Sequence, residues 1–449
     1  MPGDQSKTRL RDPQQARGSL AGAERASTGE ACRPGPSPGE LHAPIVRASL
    51  DQAIAWIDAH SATLGPEEIG LDEAAGRVTA SQILAPAPIP PADRAAADGY
   101  ALRAAETVGA SDYNPLPFAL CSAGDALPAS AAAPIVSGAA LPGGADAVLP
   151  HDLAQASGAK LEVFGAVPQG LGVVREGRQL QAGESLIDAG RVLLPQHIGL
   201  LASAGIRRVQ VVRRPRVRLL VFPPKPPALD ANTPLLCTLI ERDCGALPET
   251  KLLESQPREA LAEALAHTLA AAGADLVLIA GRSGHGADDI ALRVLADVGE
   301  LAIHGVALRP GGSSSMGLVH GAPVLLLPGD PLECWSAFEM LAGRLIRRMG
   351  GRSPELPYAR RQAEVGHKIV SAIGVVDLCR VRLVQANIVQ ANIAQGSVEP
   401  VGPAESGGLA SAVRADGFVL VPAALEGFAP GTRIDVFVFE ENVRRAEQF

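Results

Sequence analysis

The residues best suited to chemistry sit in three short loops. The first, Gly281-Arg282-Ser283-Gly284-His285-Gly286-Ala287-Asp288-Asp289, follows an apolar run and precedes a helical pattern. Glycine has no Cβ, so backbone N–H groups in such a loop can approach a bound anion closely, and the start of the next helix adds partial positive charge. Those properties suit a phosphate or a pterin, with Gly281, Gly284 and Gly286 forming the cradle. The second loop, Arg309-Pro310-Gly311-Gly312-Ser313-Ser314-Ser315, carries one cation and three hydroxyls. The third, Pro328-Gly329-Asp330-Pro331, again lies between a strand-like and a helix-like segment. Placed at the same edge of one sheet, the three would form a site for an anionic ligand. His285 could act as a general acid or base, but no Ser-His-Asp arrangement is visible and a solvated loop histidine is the simpler reading.

Two further stretches carry polar groups beside glycine. Ala97-Asp98-Gly99-Tyr100-Ala101 follows the proline-rich segment Ala85-Pro86-Ala87-Pro88-Ile89-Pro90-Pro91. Its Asp98 could ligate a hard cation such as Mg²⁺ or simply cap a turn. Ile135-Val136-Ser137-Gly138-Ala139 offers a hydroxyl that suits a phosphate or sugar contact, and an ordinary turn explains it as well. The six cysteines show neither a C-x-x-C pair nor a histidine cluster at zinc spacing, so they read as reduced thiols in or near cores.

Positioning the three loops requires a sheet. From Arg216 to about Gly350 strand-like and helix-like segments alternate, which predicts an open α/β sheet with parallel strands. Strands are expected at 217–222, 275–280, 301–308 and 324–327, and helices at 258–272, 288–296 and 332–349. Ligands of such sheets collect beyond the carboxyl ends of the strands, where these loops fall. Upstream, Leu50, Ala53, Ile54 and Ile57 recur at helical spacing and predict an amphipathic helix. Short apolar runs broken by Gly, Pro and Asp over 102–180 predict a small all-β module. A short helix is expected at 196–204 and a strand at 209–212, with a boundary at Arg213-Arg214-Pro215. Beyond Pro354, short strands such as 418–421 and 434–438 predict a final β domain. Residues 1–45 lack apolar periodicity and read as a flexible tail. The tandem Val384-Gln385-Ala386-Asn387-Ile388 and Val389-Gln390-Ala391-Asn392-Ile393 reads as a short duplication in a hairpin or surface loop.

At 449 residues the chain exceeds a single core and should divide into three or four domains. With 47% hydrophobic and 20% charged residues it has the composition of a soluble protein, and 48 Gly and 37 Pro imply many tight turns. A net charge of -8 gives no case for nucleic acid or an anionic membrane. No apolar run approaches the roughly 20 residues that span a bilayer, and the N-terminus lacks the apolar core of a secretory signal. A cytoplasmic protein with a small-molecule partner is expected.

In order and spacing, these motifs resemble the molybdopterin molybdenumtransferases of the MoeA and gephyrin E-domain type, over about residues 48–439. The resemblance rests on Asp98-Gly99-Tyr100-Ala101, Ser137-Gly138-Ala139 followed by Pro142-Gly143-Gly144-Ala145-Asp146-Ala147-Val148, and Asp230-Ala231-Asn232. It also rests on the Gly281 to Asp289 loop, Arg309-Pro310-Gly311, and Leu327-Pro328-Gly329-Asp330-Pro331. It implies an α/β multidomain protein: a linker domain (46–94 and 180–214), an inserted β domain (95–179), a molybdopterin-binding open α/β sheet (215–352) and a C-terminal β-barrel (353–441).

The same resemblance implies a homodimer that uses Mg²⁺ to insert molybdate into adenylylated molybdopterin with release of AMP, and a possible molybdoenzyme client. It assigns catalysis to Asp98 and Asp289, the metal to Asp98 and Asp230, and substrate contacts to Ser137, Gly281, Gly284, Gly286, Arg309, Gly311, Gly329 and Asp330. Several positions depart from the family pattern. Phe222-Pro223-Pro224-Lys225-Pro226-Pro227 stands in place of an acidic Thr-Gly-Asp-Glu run, and Arg175-Glu176-Gly177-Arg178-Gln179 has lost both terminal acids of its motif. The Arg309 loop keeps one cation of two, and Glu333 replaces a serine. These departures leave open a second reading, a weak or inactive paralogue that binds the pterin or the finished cofactor and delivers it to a client enzyme.

Overall fold

The computed structural model describes residues 47–122, 124, 126–224, 229–253, 258–271, 273–284, 289–384, 396–402 and 408–439. The proposed tail, His285, Gly286, the segment 225–228 and nearly all of the tandem repeat lie outside these residues.

A six-stranded sheet positions the loops. In spatial order its strands are Ala246–Leu252, Arg216–Val221, Leu276–Ala280, Ala322–Leu327, Ser315–Val319 and Glu300–His304. Side chains alternate between faces along a strand, and both faces here are apolar. Val217, Leu219, Val221, Leu276, Leu278, Leu325 and Leu327 join one core. Leu220, Val277, Ile279, Val324 and Leu326 join another, against helices Arg258–Ala270 and Ile290–Val298. Helices on both faces are what a buried parallel sheet requires. The predicted helix around Leu50 is present as Leu50–Ala59, started by a capping box between Ser49 and Gln52, and buries Leu50, Ala53 and Ile57.

Two expectations are corrected. The sheet is mixed: five strands run in one direction, and Ser315–Val319, antiparallel to both Ala322–Leu327 and Glu300–His304, runs against them. The reversal comes from the two-residue turn His320-Gly321, whose φ values of 50° and 80° suit a type I′ hairpin. The strand expected at 301–308 stops at His304. Gly305 turns the chain at φ 80°, and Leu308–Arg309 then leaves the sheet to pair in parallel with Val376–Asp377 of the C-terminal region. Helix Asn232–Arg242 and strand Ala246–Leu252 were not anticipated.

Upstream, strands Pro66–Gly70 and Arg208–Val212 pair antiparallel. The chain leaves this unit through Ile83–Leu84 and Arg94–Ala95 and returns through Val173–Val174 and Ser185–Ile187. The outgoing and returning segments pair antiparallel with each other. Between them lies a six-stranded sheet that includes Gly99–Leu102 and Ala131–Ile135. Downstream, Val376–Val384, Ser397–Pro400, Ala359–Val365, Arg433–Val438 and Gly417–Val421 pair in a ring, closing a five-stranded barrel around Val365, Val381, Val398, Val419 and Val436. Closure leaves no free sheet edge within the ring.

Candidate functional site

The strands ending at Val221, Ala280 and Leu327 are parallel neighbours, so the loops that follow them emerge at one edge. Close backbone approach joins them. Gly281 has φ 90°, and a Cβ built there would lie 3.2 Å from Phe222 Cβ, while one on Gly329 would lie 3.3 Å from Gly281 Cα. Asn232, itself buried, donates through Nδ2 to the Gly329 carbonyl at 2.8 Å. The Ser283 and Ser313 hydroxyls lie 3.4 Å apart and connect the second loop. Gly311, at φ 120°, fits where a Cβ would meet Leu308 at 3.2 Å and the Glu333 carbonyl at 3.4 Å.

The N–H of Gly281 is not free for a ligand, because it donates to the Leu327 carbonyl at 3.0 Å. This glycine serves the close approach of two loops. The N–H groups of Ser283, Gly284, Gly329 and Asp330, by contrast, donate to no described group. Clustered, unpaired backbone donors favour an anion. Arg282 adds a cation beside them. It is not a glycine, yet it adopts φ 52°, and its guanidinium lies 5.5 Å from the Phe222 ring centre. A positive φ at such a residue marks strain that the surroundings must hold in place.

The acids have separate tasks. Asp330 Oδ1 accepts from the N–H groups of Leu332 and Glu333 and caps the helix that begins at Pro331. Asp230 Oδ1 accepts from the N–H groups of Asn232 and Thr233 and does the same for helix Asn232–Arg242. Burial, with the carboxylates of Asp330 and Asp230 adding to it, pushes the Cys334 thiol well above its usual range. Asp289 precedes helix Ile290–Val298, and its Oδ2 lies 2.7 Å from where a Gly284 Cβ would stand.

Three expected contributors fall elsewhere or turn inward. Arg309 donates from Nε to Asp377 Oδ2 at 3.0 Å and pairs with the same oxygen through Nη2; Asp377 is fully buried and also accepts from the Ser371 hydroxyl at 3.1 Å. A barrel carboxylate thus holds the cation expected to face the oxyanion. Of the three hydroxyls in the second loop, two are spent internally: Ser314 donates to the Gly311 carbonyl at 2.7 Å, and Ser315 accepts from the Gly305 N–H at 3.4 Å.

Asp98 and Ser137 do come together, but in the inserted sheet. The Ser137 N–H donates to Asp98 Oδ1 at 2.7 Å, and the Ser137 hydroxyl donates to the Ala96 carbonyl at 3.2 Å. Among the described residues no three metal-ligating side chains gather at one point. Sequence reasoning gave no role to Asn232, which stood in the quoted Asp230-Ala231-Asn232 motif, nor to Arg282 or Asp377. Arg282 lay in a loop already flagged, whereas Asp377 meets Arg309 across 68 residues of chain and left no local signal.

Comparison with known proteins yields three family models laid end to end. "MoeA N-terminal region (domain I and II)" matches residues 48–205, "Probable molybdopterin binding domain" matches 225–348, and "MoeA C-terminal region (domain IV)" matches 362–439. Molybdopterin molybdenumtransferase 1 of Mycobacterium tuberculosis is 28% identical over 428 residues, covering 86% of this chain and 98% of its own. The molybdopterin molybdenumtransferase of Staphylococcus aureus is 24% identical, covering 89% and 97%. A solved molybdopterin biosynthesis MoeA protein from Pyrococcus horikoshii has a TM-score of 0.68 at 28% identity, over 88% of this chain and 99% of that one. The three regional matches follow one another in order between residues 48 and 439 and agree with the shared architecture, and the chain belongs to the MoeA-type molybdopterin molybdenumtransferase family.

Proposed function

We propose that the chain acts in molybdenum cofactor biosynthesis as a transferase, inserting molybdate into adenylylated molybdopterin and releasing AMP. The observation that carries this reading is the set of four N–H groups, from Ser283, Gly284, Gly329 and Asp330, that have no partner among the described residues at the loop edge of the α/β sheet. Fixed donors of this kind hold phosphate and molybdate oxygens without reorganising during reaction. In this reading Arg282 supplies positive charge, Gly281 and Gly311 let the loops close on one another, and Asp289 holds a water or a cation beside Gly284. Asn232 keeps the Gly329 loop in place.

Mg²⁺ belongs to the same reading as a partner of the cleaved phosphoanhydride, whose charge it would offset. The donor chemistry suits a hard cation held by one carboxylate and by substrate phosphate oxygens. Among the described residues, Asp98 and Asp230 each keep one carboxylate oxygen, Oδ2, outside their hydrogen bonds. The two acids stand in different sheets' loops, however, and their partners do not overlap. A homodimer gives them a route to a common site from two subunits. The four-domain division, with boundaries near 94, 179, 214 and 352, is part of the proposal; most strand pairings fall within one of its units, with Leu308–Arg309 and Arg94 pairing across a boundary. So is a cytoplasmic location with a molybdoenzyme client; among the described residues no helix is long and apolar enough to cross a membrane.

The test is AMP release from adenylylated molybdopterin with molybdate and Mg²⁺, comparing wild type with Asp98→Ala. Turnover abolished by the substitution supports the transferase. Tight binding of the pterin with no turnover by the wild type would replace it with a carrier.

A further inference from the structure

At the sheet edge opposite these loops, where strands Arg216–Val221, Ala246–Leu252 and Leu276–Ala280 begin, lies a cavity of about 500 Å³. It is bordered by Glu67, Arg213, Arg214, Arg216, Ala274 and Asp275. Glu67 and Arg213 belong to the paired strands Pro66–Gly70 and Arg208–Val212 and the residue just after them, and Arg216 and Asp275 stand at the α/β sheet. The cavity therefore lies at the junction of two structural units, a common place for ligands.

Its acids are already engaged. Asp275 accepts from both Nη atoms of Arg213, at 2.7 and 2.9 Å, and from the Arg216 N–H at 2.7 Å. Burial raises the Asp275 carboxyl, but the Arg213 bonds outweigh it and hold it below the usual carboxylate range. Glu67 is paired with Arg77. Among the described residues no carboxylate forms an ion pair with Arg214 or Arg216, and Arg216 feels the Asp275 carboxylate only at longer range, while that acid is held by Arg213; with Arg213 they set three guanidiniums against two carboxylates at the cavity. Buried Pro215 joins Arg214 to Arg216 and restricts the backbone between.

We propose that this cavity binds a small phosphate monoester. Two guanidinium forks match the oxygens of a phosphate dianion in charge and geometry. The volume exceeds what a phosphate group alone fills, leaving room for an organic body. Among the described residues no aromatic ring borders the cavity, and its lining is charged or small, so that body is polar, as in a sugar or polyol phosphate. The site is independent of the reaction at the opposite edge.

The experiment is calorimetric titration of the full chain with glycerol 3-phosphate, inorganic phosphate and malate in a phosphate-free buffer, for wild type and the Arg214→Ala/Arg216→Ala double variant. Both arginines are exposed, so thermal melting of the variant should match wild type and its AMP release should be unchanged. Glycerol 3-phosphate is expected to bind wild type at millimolar concentration or below, weaken with salt, and bind the variant at least tenfold more weakly. Equal binding by both proteins would put the anion at the glycine loops and overturn the proposal. No binding of either phosphate compound to wild type would overturn it as well, and malate binding as tightly as glycerol 3-phosphate would refute the phosphate class.

Discussion

Asp377→Asn is expected to loosen Arg309 and weaken the joint between the barrel and the α/β sheet. Asp377 has no solvent exposure, and the Arg309 Nε to Asp377 Oδ2 distance is 3.0 Å. Unit charges at that separation attract by about 5 kcal/mol at an effective dielectric near 20. Much of this gross attraction offsets the desolvation of the two ions. Asparagine retains an acceptor for Arg309, and the Arg309 side chain is 24% exposed and can be hydrated. The net loss should therefore fall below the 3–5 kcal/mol typical of breaking a fully buried pair, at about 2 kcal/mol.

Trp335 offers the assay, since its ring packs edge-on, 5.9 Å from Phe418 and 5.9 Å from Phe439 of the C-terminal region. The chain has two tryptophans, so a Trp56→Phe background isolates the signal. With a urea slope of about 2 kcal/mol/M, the midpoint should drop by about 1 M. If Arg309 faces the oxyanion in the proposed reaction, the molybdate KM should rise more than kcat falls. An unchanged midpoint together with an unchanged KM would refute the argument that Asp377 holds Arg309.

Gly281→Ala should cost about 1–3 kcal/mol, because it combines a left-handed backbone with a new Cβ 3.2 Å from Phe222. Thermal melting and pterin affinity should both decline, and a variant as stable as wild type would show that the two loops do not depend on this close approach. The Arg344 hydrogen bond holds the Asp58 carboxyl below its usual range. A folded-state value below the unfolded one gives stability that is present above about pH 4 and is lost as pH falls through the depressed value. Urea midpoints between pH 7 and 3 should therefore fall less steeply for Asp58→Asn than for wild type, and identical slopes would remove Asp58 from the acid response. Burial, reinforced by Asp377, pushes the Cys379 thiol up to about 12, and Cys334 is raised further still. Iodoacetamide at pH 8 should label Cys121, Cys237 and Cys244 in the native protein ahead of these two; equal labelling rates would contradict the burial argument.

The apolar runs at 217–221 and 276–280, followed by glycine or proline loops, marked an α/β sheet and its ligand edge because burial pattern and turn chemistry act between near neighbours. The same holds for the Ser49–Gln52 capping box and helix Leu50–Ala59. Strand Ala246–Leu252 escaped notice because its sequence, ALPETKL, lacks apolar alternation; pairing with Arg216–Val221 recruits it to the edge. The 301–308 strand was read too long because Gly305 reverses the chain only in the context of its neighbours, and the barrel then captures Leu308–Arg309.

By itself, the sequence determined the family, the order of folding units and the three loops that belong together, since each is written in residue types a few positions apart. Only the tertiary structure decided which groups those loops leave for a ligand. It spent the Gly281 N–H on Leu327, the Ser314 hydroxyl on Gly311 and the Arg309 guanidinium on Asp377, and left the N–H groups of Ser283, Gly284, Gly329 and Asp330 without partners among the described residues. Hydrogen bonds and ion pairs depend on distance through space, and a bond between positions 68 residues apart has no local pattern to announce it.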